Sequence, residues 1–438
     1  MAQFRIELGR ILKSIIFLLI AAGIVLFAYT QEVFPPDSDI TKPEQNGYYG
    51  MKPSNDPSLI MPEAAASLFE QYSANKYITY PNGFYKAVRL NQADHKKMAE
   101  ILSELSVNEL SVNEISDVSQ NFNINIDAGN KGLQTSAGNL HANEDGSFQV
   151  IMPDKEEHTE YDGFQFNSGI SWVHFKELMK QADKLLGGGS EFSETWMSHR
   201  FGQIPITYEE ALADYELVIS HDKVTGAYAR LFCDYAGIIL GLLPVFPAVF
   251  LCMCDRKNIS PILYTRRISS GRFILVRFSA LATATMLPIL LMCAVLTCIH
   301  AADYGPDSID VFAYFKYAFF WLFPTAIAAI SVGLFFTTLT GTPVAIAIQL
   351  IWWFIDIRGG SGMYSFFGVR SFQLIPRHNA LGNVEAYLDY MPSLIQNRFR
   401  IVLIAALLIV GTIYIFSVKR RGMLYVPIFK RGKIQSAV

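Results

Sequence analysis

Charged residues are scarce in this chain. Asp, Glu, Lys and Arg make up 17% of its 438 residues, where an ordinary soluble domain carries about 25%. With 51% hydrophobic residues and a mean hydropathy of +0.25, that shortage argues against a conventional cytosolic enzyme. Cysteine is rare too. Cys233, Cys252, Cys254, Cys293 and Cys298 all lie in or beside apolar runs, and none falls between 31 and 228. That region folds without disulfides even in an oxidising compartment and relies on its own core, for which about 200 residues suffice. Motifs of chemistry are also missing. No GxxxxGKS or GxxxxGKT occurs, so ATP is not bound through a P-loop. His95, His141, His158, His174, His199 and His221 are scattered, with no HExxH and no closely spaced ligand pair; they read as solvated or core histidines, and no metal site is expected. No pair of carboxylates stands out as an acid–base couple. The apolar runs hold no Ser/His or metal constellation, which speaks against an intramembrane hydrolase.

What the chain does have is a segregation of charge. Residues 31–228 contain 30 acidic and 14 basic side chains, while the remainder contains 9 acidic and 22 basic. A helix needs about 20 apolar residues to cross a hydrocarbon core of about 30 Å. Five runs free of charge qualify: Ser14–Gln31, Tyr235–Cys254, Phe278–Ala302, Tyr317–Ile355 and Ile401–Val418. The fourth, at 39 residues, would be roughly 58 Å long as one helix. Gly341 and Pro343 favour a turn within it, so it divides near Leu339. The expected fold is an α-helical polytopic membrane protein with six transmembrane helices. A mixed α/β extracellular domain is inserted between helices 1 and 2. The expected divisions are 1–30 (an N-terminal interfacial helix and helix 1), 31–228 (the outer domain), 229–418 (five helices) and 419–438 (a basic tail).

Lys and Arg near helix ends set orientation. Arg5, Arg10 and Lys13 precede helix 1; Arg256, Lys257, Arg266, Arg267, Arg272 and Arg277 lie between helices 2 and 3; Lys419, Arg420, Arg421, Lys430, Arg431 and Lys433 follow the last. Six crossings put all three clusters on one side, expected to be cytoplasmic with both termini, and put 31–228 outside a cell membrane. Arg358, Arg370, Arg377, Arg398 and Arg400 fall on the outer side and strain the rule. Helix 1 is expected to be retained, since Ala28-Tyr29-Thr30-Gln31 offers no small-x-small cleavage site.

Within the outer region, Ala64–Tyr77 reads as a helix, and Phe84–Leu90 alternates like a strand. Asn91 caps a helix through about Leu105, and Ser147–Met152 is a second strand. The near-repeat over 105–116 is too short for a solenoid period. Trp172–Leu186 is an amphipathic helix ending in the break Gly187-Gly188-Gly189-Ser190. Thr207–Arg230 reads as a helix continuous with helix 2, one long rod. The many carboxylates read as a soluble negative surface, with a docking face for cationic peptides as the sharper alternative.

The most informative stretch is Cys254–Arg277. Asp255, Arg256 and Lys257 open it, and Ile259, Ile262 and Leu263, followed by Tyr264, fit a short amphipathic helix with Pro261 in its first turn. Thr265-Arg266-Arg267-Ile268-Ser269 closes it. A positive-inside anchor would explain the charges alone. Together with one helix, a large outer domain and five further helices, however, this loop resembles that of the permease subunit of an ABC-2 type transporter. The resemblance covers 1–30 and 230–425 in topology. It implies that the loop is a coupling helix docking into a separate ABC ATPase subunit, with ATP and Mg held by that partner and no cofactor in this chain. It implies a second permease subunit, identical or related, contact with membrane lipids, and no nucleic acid. Phe4, Leu8 and Ile11 on one face of the N-terminal stretch are similar to the family's interfacial connecting helix, and Tyr414–Arg421 to its basic finish. The large outer domain departs from many members; those that share such an insertion are often Gram-positive export or peptide-resistance systems. The expected role is export of a peptide, lipid or other amphipathic compound, without enzymatic activity in this chain. The competing reading is a non-transporting receptor or scaffold that senses a ligand through its acidic outer domain, weakened by a C-terminal tail of only about 20 residues.

Three charges near the membrane interface, Asp234, Lys316 and Asp356, are candidates for functional polar groups, or for snorkelling or pairing with one another. Gly359–Met391 is too polar to span, and is expected either to re-enter the membrane or to form an interfacial loop. Trp352 and Trp353 read as aromatic-belt residues.

Overall fold

The computed structural model describes residues 2–36, 40–81, 85–107, 134–135, 138–142, 148–151, 164–258, 267–359, 372–378 and 380–422. The chain divides into two compact units, Met1–Gly47 with Thr207–Val438, and Tyr48–Ile206.

The chain opens with α1 (Ala2–Leu12) and α2 (Ile15–Thr30), bent by 67° from each other. The bend sits at Ser14, whose hydroxyl accepts the Phe17 amide and caps α2. Ile11 is buried, with Phe4 and Leu8 packed beside it, so the apolar face of α1 lies against the bundle.

The unit Tyr48–Ile206 follows: β1 (Met51–Pro53), α3 (Pro57–Ser73), β2 (Tyr77–Thr79), β3 (Lys86–Val88), α4 (Gln92–Leu105), β4 (Gln134–Thr135), β5 (Gly138–Ala142), β6 (Phe148–Ile151), α5 (Trp172–Leu185), α6 (Glu194–Arg200) and β7 (Gln203–Pro205). Its core joins Leu68, Tyr72 and Tyr77 to Met98, Leu102, Phe175 and Phe192. Helix α3 starts earlier than the sequence suggests, because Asp56 caps it and Pro57 suits its first turn. It also stops earlier: Tyr77 belongs instead to β2, antiparallel to β3 with Tyr77 opposite Val88. Asn91 caps α4 as expected. The glycines 187–189 all take positive φ. A Cβ on Gly189 would meet the Tyr80 carbonyl at 2.8 Å, so the turn after α5 is closed down on β2 rather than being a loose break. β1 and β7 pair antiparallel, Met51 opposite Pro205, so the two chain ends of this unit leave side by side. The near-repeat after Val107 lies outside the described residues.

The remaining helices are α7 (Tyr208–Leu217), α8 (Thr225–Leu240), α9 (Val245–Asn258), α10 (Ser270–Tyr304), α11 (Ala313–Thr340), α12 (Val344–Gly359) and α13 (Val384–Arg420). The expected rod from Thr207 is broken. A π-turn over Val218–Asp222 is followed by Lys223 at φ 47° and Val224 at φ 59°, and the Thr225 amide donates to the Lys223 carbonyl at 2.5 Å. That is a γ-turn centred on a β-branched residue, a strained geometry. Beyond it, Thr225–Asp255 is long and apolar enough to cross a bilayer, as are Ser270–Tyr304, Ala313–Thr340 and Val384–Arg420; counting the bent pair α1–α2 makes five. The chain is thus an α-helical membrane protein. The apolar run starting at Tyr317 does divide, at Gly341, which caps α11 at φ 68°. Its second half, α12, has 16 residues, roughly 24 Å, short of a full crossing. Helix α11 is central, with 72% of its apolar window buried against 22% for α13. Small residues let it approach its neighbours: a Cβ on Gly333 would stand 2.7 Å from that of Ala248.

Candidate functional site

At one end of the bundle, α1 is held by charge. Arg277, two turns into α10 and 3% exposed, donates to Asp255 of α9 and lies 3.5 Å from Glu7 of α1. Asp255 also accepts from Arg10 of α1 at 2.9 Å. The Arg277 guanidinium lies 4.5 Å from the Phe273 ring centre. Two acids and two bases thus join α1 to both helices that flank the 254–277 loop. The charges balance, which is the condition for burying them at all. Ser269 caps α10 by accepting the Arg272 amide. From α13, Arg420 donates to the Ile268 carbonyl, and Lys419 to those of Thr338 (2.5 Å) and Leu339 (3.1 Å), the free carbonyls at the end of α11.

Of the loop residues singled out in the sequence, Asp255 lies inside this cluster, and Arg256 and Lys257 lie in the last turns of α9. Ile268 and Ser269 lie at the entry to α10, with Arg267 just before them. Ile259, Ile262, Leu263, Tyr264 and Arg266 lie outside the described residues. Glu7 and Arg277 were missed as a pair: a lone acid in an amphipathic N-terminal helix and a basic residue inside an apolar run carry no spacing signal.

The other polar candidates do not pair with one another. Asp234, fully buried, accepts the His378 amide at 2.8 Å. Asp356 accepts the Ile375 amide at 2.7 Å. Lys316 binds Asp310 at 2.5 Å. Burial raises the Asp310 carboxyl, but Lys316, the Phe312 amide and Lys223 outweigh it and hold the group below its ordinary range.

Two of these contacts fasten the same segment, 372–378, inside the bundle. Arg398 of α13, 3% exposed, donates to the carbonyls of Trp321 (3.1 Å) and Gln373 (2.8 Å), and to the Thr325 hydroxyl at 3.0 Å. Thr325 donates to the Leu374 carbonyl (2.7 Å) and the Trp321 indole to that of Pro376 (3.0 Å). A buried backbone without regular structure must have its polar groups met in this way. Trp353 reaches the Ile238 carbonyl (2.8 Å), so it is tied to α8 rather than serving only at an interface. Nearby, Arg230 is fully buried, pairs with Asp222, reaches the Leu381 carbonyl at 3.0 Å and lies 4.6 Å from the Tyr387 ring centre. His378 donates from Nε2 to the Gly382 carbonyl at 2.9 Å. Burial, with the Arg230 charge adding, pushes its imidazole down to about 4.

Among the described residues no three His, Cys, Asp or Glu side chains converge as a metal site. Comparison with family models, curated proteins and solved structures finds no match for this chain.

Proposed function

We propose that this chain is the membrane-spanning permease subunit of an ATP-driven ABC-2 type transporter, exporting a peptide, lipid or other amphipathic compound. The observation that supports this best is the Glu7–Arg10–Asp255–Arg277 cluster. It fastens an interfacial helix to both sides of the 254–277 loop, so a force applied to that loop moves α1, α9 and α10 together. In this reading the loop docks on a separate ABC ATPase that holds ATP and Mg. In this reading the six crossings are α2, α8–α9, α10, α11, α12 and α13. The basic end faces the cytoplasm, residues 31–228 face outward, and two permease subunits enclose the substrate path. Closure of the ATPases would push the loops and repack the helices.

The test is affinity purification of the detergent-solubilised chain from its host, beside the variant Arg266→Glu/Arg267→Glu. A P-loop ATPase in near-equal amount with the native chain, lost from the variant, is expected. If no ATPase accompanies the native chain under conditions that keep other membrane complexes intact, the transporter reading fails and a receptor role replaces it.

A further inference from the structure

The β2/β3 hairpin presents an outward face with an unusual composition. Tyr77 and Thr79 point into the unit, while Ile78 and Tyr80 are 40% and 48% exposed. The register sets Ile78 against Ala87. One step further Tyr80 meets Tyr85, itself 60% exposed, with ring centroids 6.1 Å apart. In the other direction Lys76 and Arg89 flank the Tyr77–Val88 pair on this same face, both exposed; Lys86, also exposed, stands opposite Thr79 and so belongs to the other face. Between Glu70 and Asp94 the sequence has these three cations and no acid, in a unit (48–206) that carries 21 acidic and 12 basic residues. The described ion pairs of the unit use Lys97, His174, Lys176, Lys180 and Arg200; Lys76, Lys86 and Arg89 take part in none of them.

Grouping like charges on one hairpin is unfavourable for folding, and placing two tyrosines at its tip adds exposed aromatic surface to it. Both features are matched by one kind of surface. Tyrosine is favoured at the headgroup level of a bilayer, and each Lys or Arg close to an anionic membrane is attracted to it. We propose that the outward face of this hairpin is a contact for an anionic phospholipid surface, with Tyr80 and Tyr85 entering the headgroup layer and Lys76 and Arg89 meeting lipid phosphates. Two cations give only weak attraction, but the chain is itself held in a bilayer. Residues 31–47, between α2 and this unit, reach at most about 60 Å, so the effective lipid concentration is high. The inference stands independently of the transporter reading.

The full chain is placed in nanodiscs of phosphatidylcholine alone and of phosphatidylcholine with phosphatidylglycerol, and amide exchange is followed over 77–88. Exchange there is expected to slow several-fold in the anionic discs at low salt, to recover as salt screens the charges, and to remain unchanged over Gln92–Leu105. In Lys76→Glu/Arg89→Glu the lipid dependence is expected to vanish while Gln92–Leu105 stays protected. If that variant does not fold, the two lipid compositions decide with the native chain. Equal exchange in both discs overturns the proposal, as does slowing by soluble polyphosphate but not by phosphatidylglycerol.

Discussion

Arg398 lies in α13 with the carbonyls of Trp321 and Gln373 and the hydroxyl of Thr325 around its guanidinium. Replacing it with Met removes this donor from the Trp321 carbonyl and the Thr325 hydroxyl, while the Gln373 carbonyl keeps the Asn397 side-chain amide at 3.0 Å; a buried group left unsatisfied costs about 1–3 kcal/mol. Arg398→Met is therefore expected to lower the thermal midpoint of the detergent-solubilised chain by several degrees. Arg400→Met, two residues along and bonded only to Gln396 at 3.5 Å, is expected to leave it nearly unchanged. Sequence alone counts both as outer-side charges that offend the positive-inside rule. Nothing in their spacing reveals that Arg398 is spent on the carbonyls of a segment some 25 positions earlier. His378 carries a pH dependence. Its folded value, about 4, lies below the ordinary 6.5, so the unfolded chain binds the proton first as pH falls. Its stabilising contribution is full above 6.5 and is lost progressively between 6.5 and 4, on the order of 3 kcal/mol in all. Thermal scans over that range are expected to show the loss, and His378→Phe to flatten this part of the profile. The charged groups facing His378 are Asp234, Asp222, Asp214 and Arg230.

At the scale of elements, the ionic cluster on α1 is the contact to break. Arg277→Ala leaves Asp255 and Glu7 buried with only Arg10, whose side chain is 35% exposed. Loss of one partner from a buried pair costs about 3–5 kcal/mol. Amide exchange over Ala2–Leu12 is expected to rise sharply in this variant, with little change in α11. Rates like those of the native chain would show that apolar packing of Phe4, Leu8 and Ile11 holds α1 by itself. Elements were legible where a local signal marks them. Asn91 and Ser171 cap α4 and α5, and the Gly341–Pro343 turn divides the longest apolar run. They were not legible where a long-range partner decides. Tyr77–Thr79 has helix-compatible neighbours and becomes a strand because Lys86–Val88 pairs with it. Helix α13 begins at Val384, well before the apolar run at Ile401, because Asp214 accepts the Asn383 and Val384 amides and fixes its start.

Considered whole, the molecule has separate cores for its two units: Leu68, Met98 and Phe175 belong to one cluster, and Phe232, Ile289 and Trp321 to another. The ends of the unit 48–206 also leave side by side. Excising 48–206 and joining the flanks with a short Gly-Ser linker is expected to leave a membrane-inserted chain that still elutes as a single species in detergent. Aggregation of the excised chain would mean that the bundle needs the other unit to fold. The charge segregation drew its boundaries at 31 and 228, whereas the compact unit runs from 48 to 206 and residues 31–47 and 207–228 belong to the other unit. The γ-turn at Lys223–Val224 was invisible, since nothing in Asp-Lys-Val-Thr announces it. An unbroken rod entering the bilayer would act as a drive shaft, delivering any rotation of α7 to α8 undiminished. A joint with two left-handed residues passes a pull along the axis but lets twist dissipate. The Asp222–Arg230 pair, which bridges it, pins where the pull lands. Of the motions α7 can make, the bundle below therefore feels tension far more than torque.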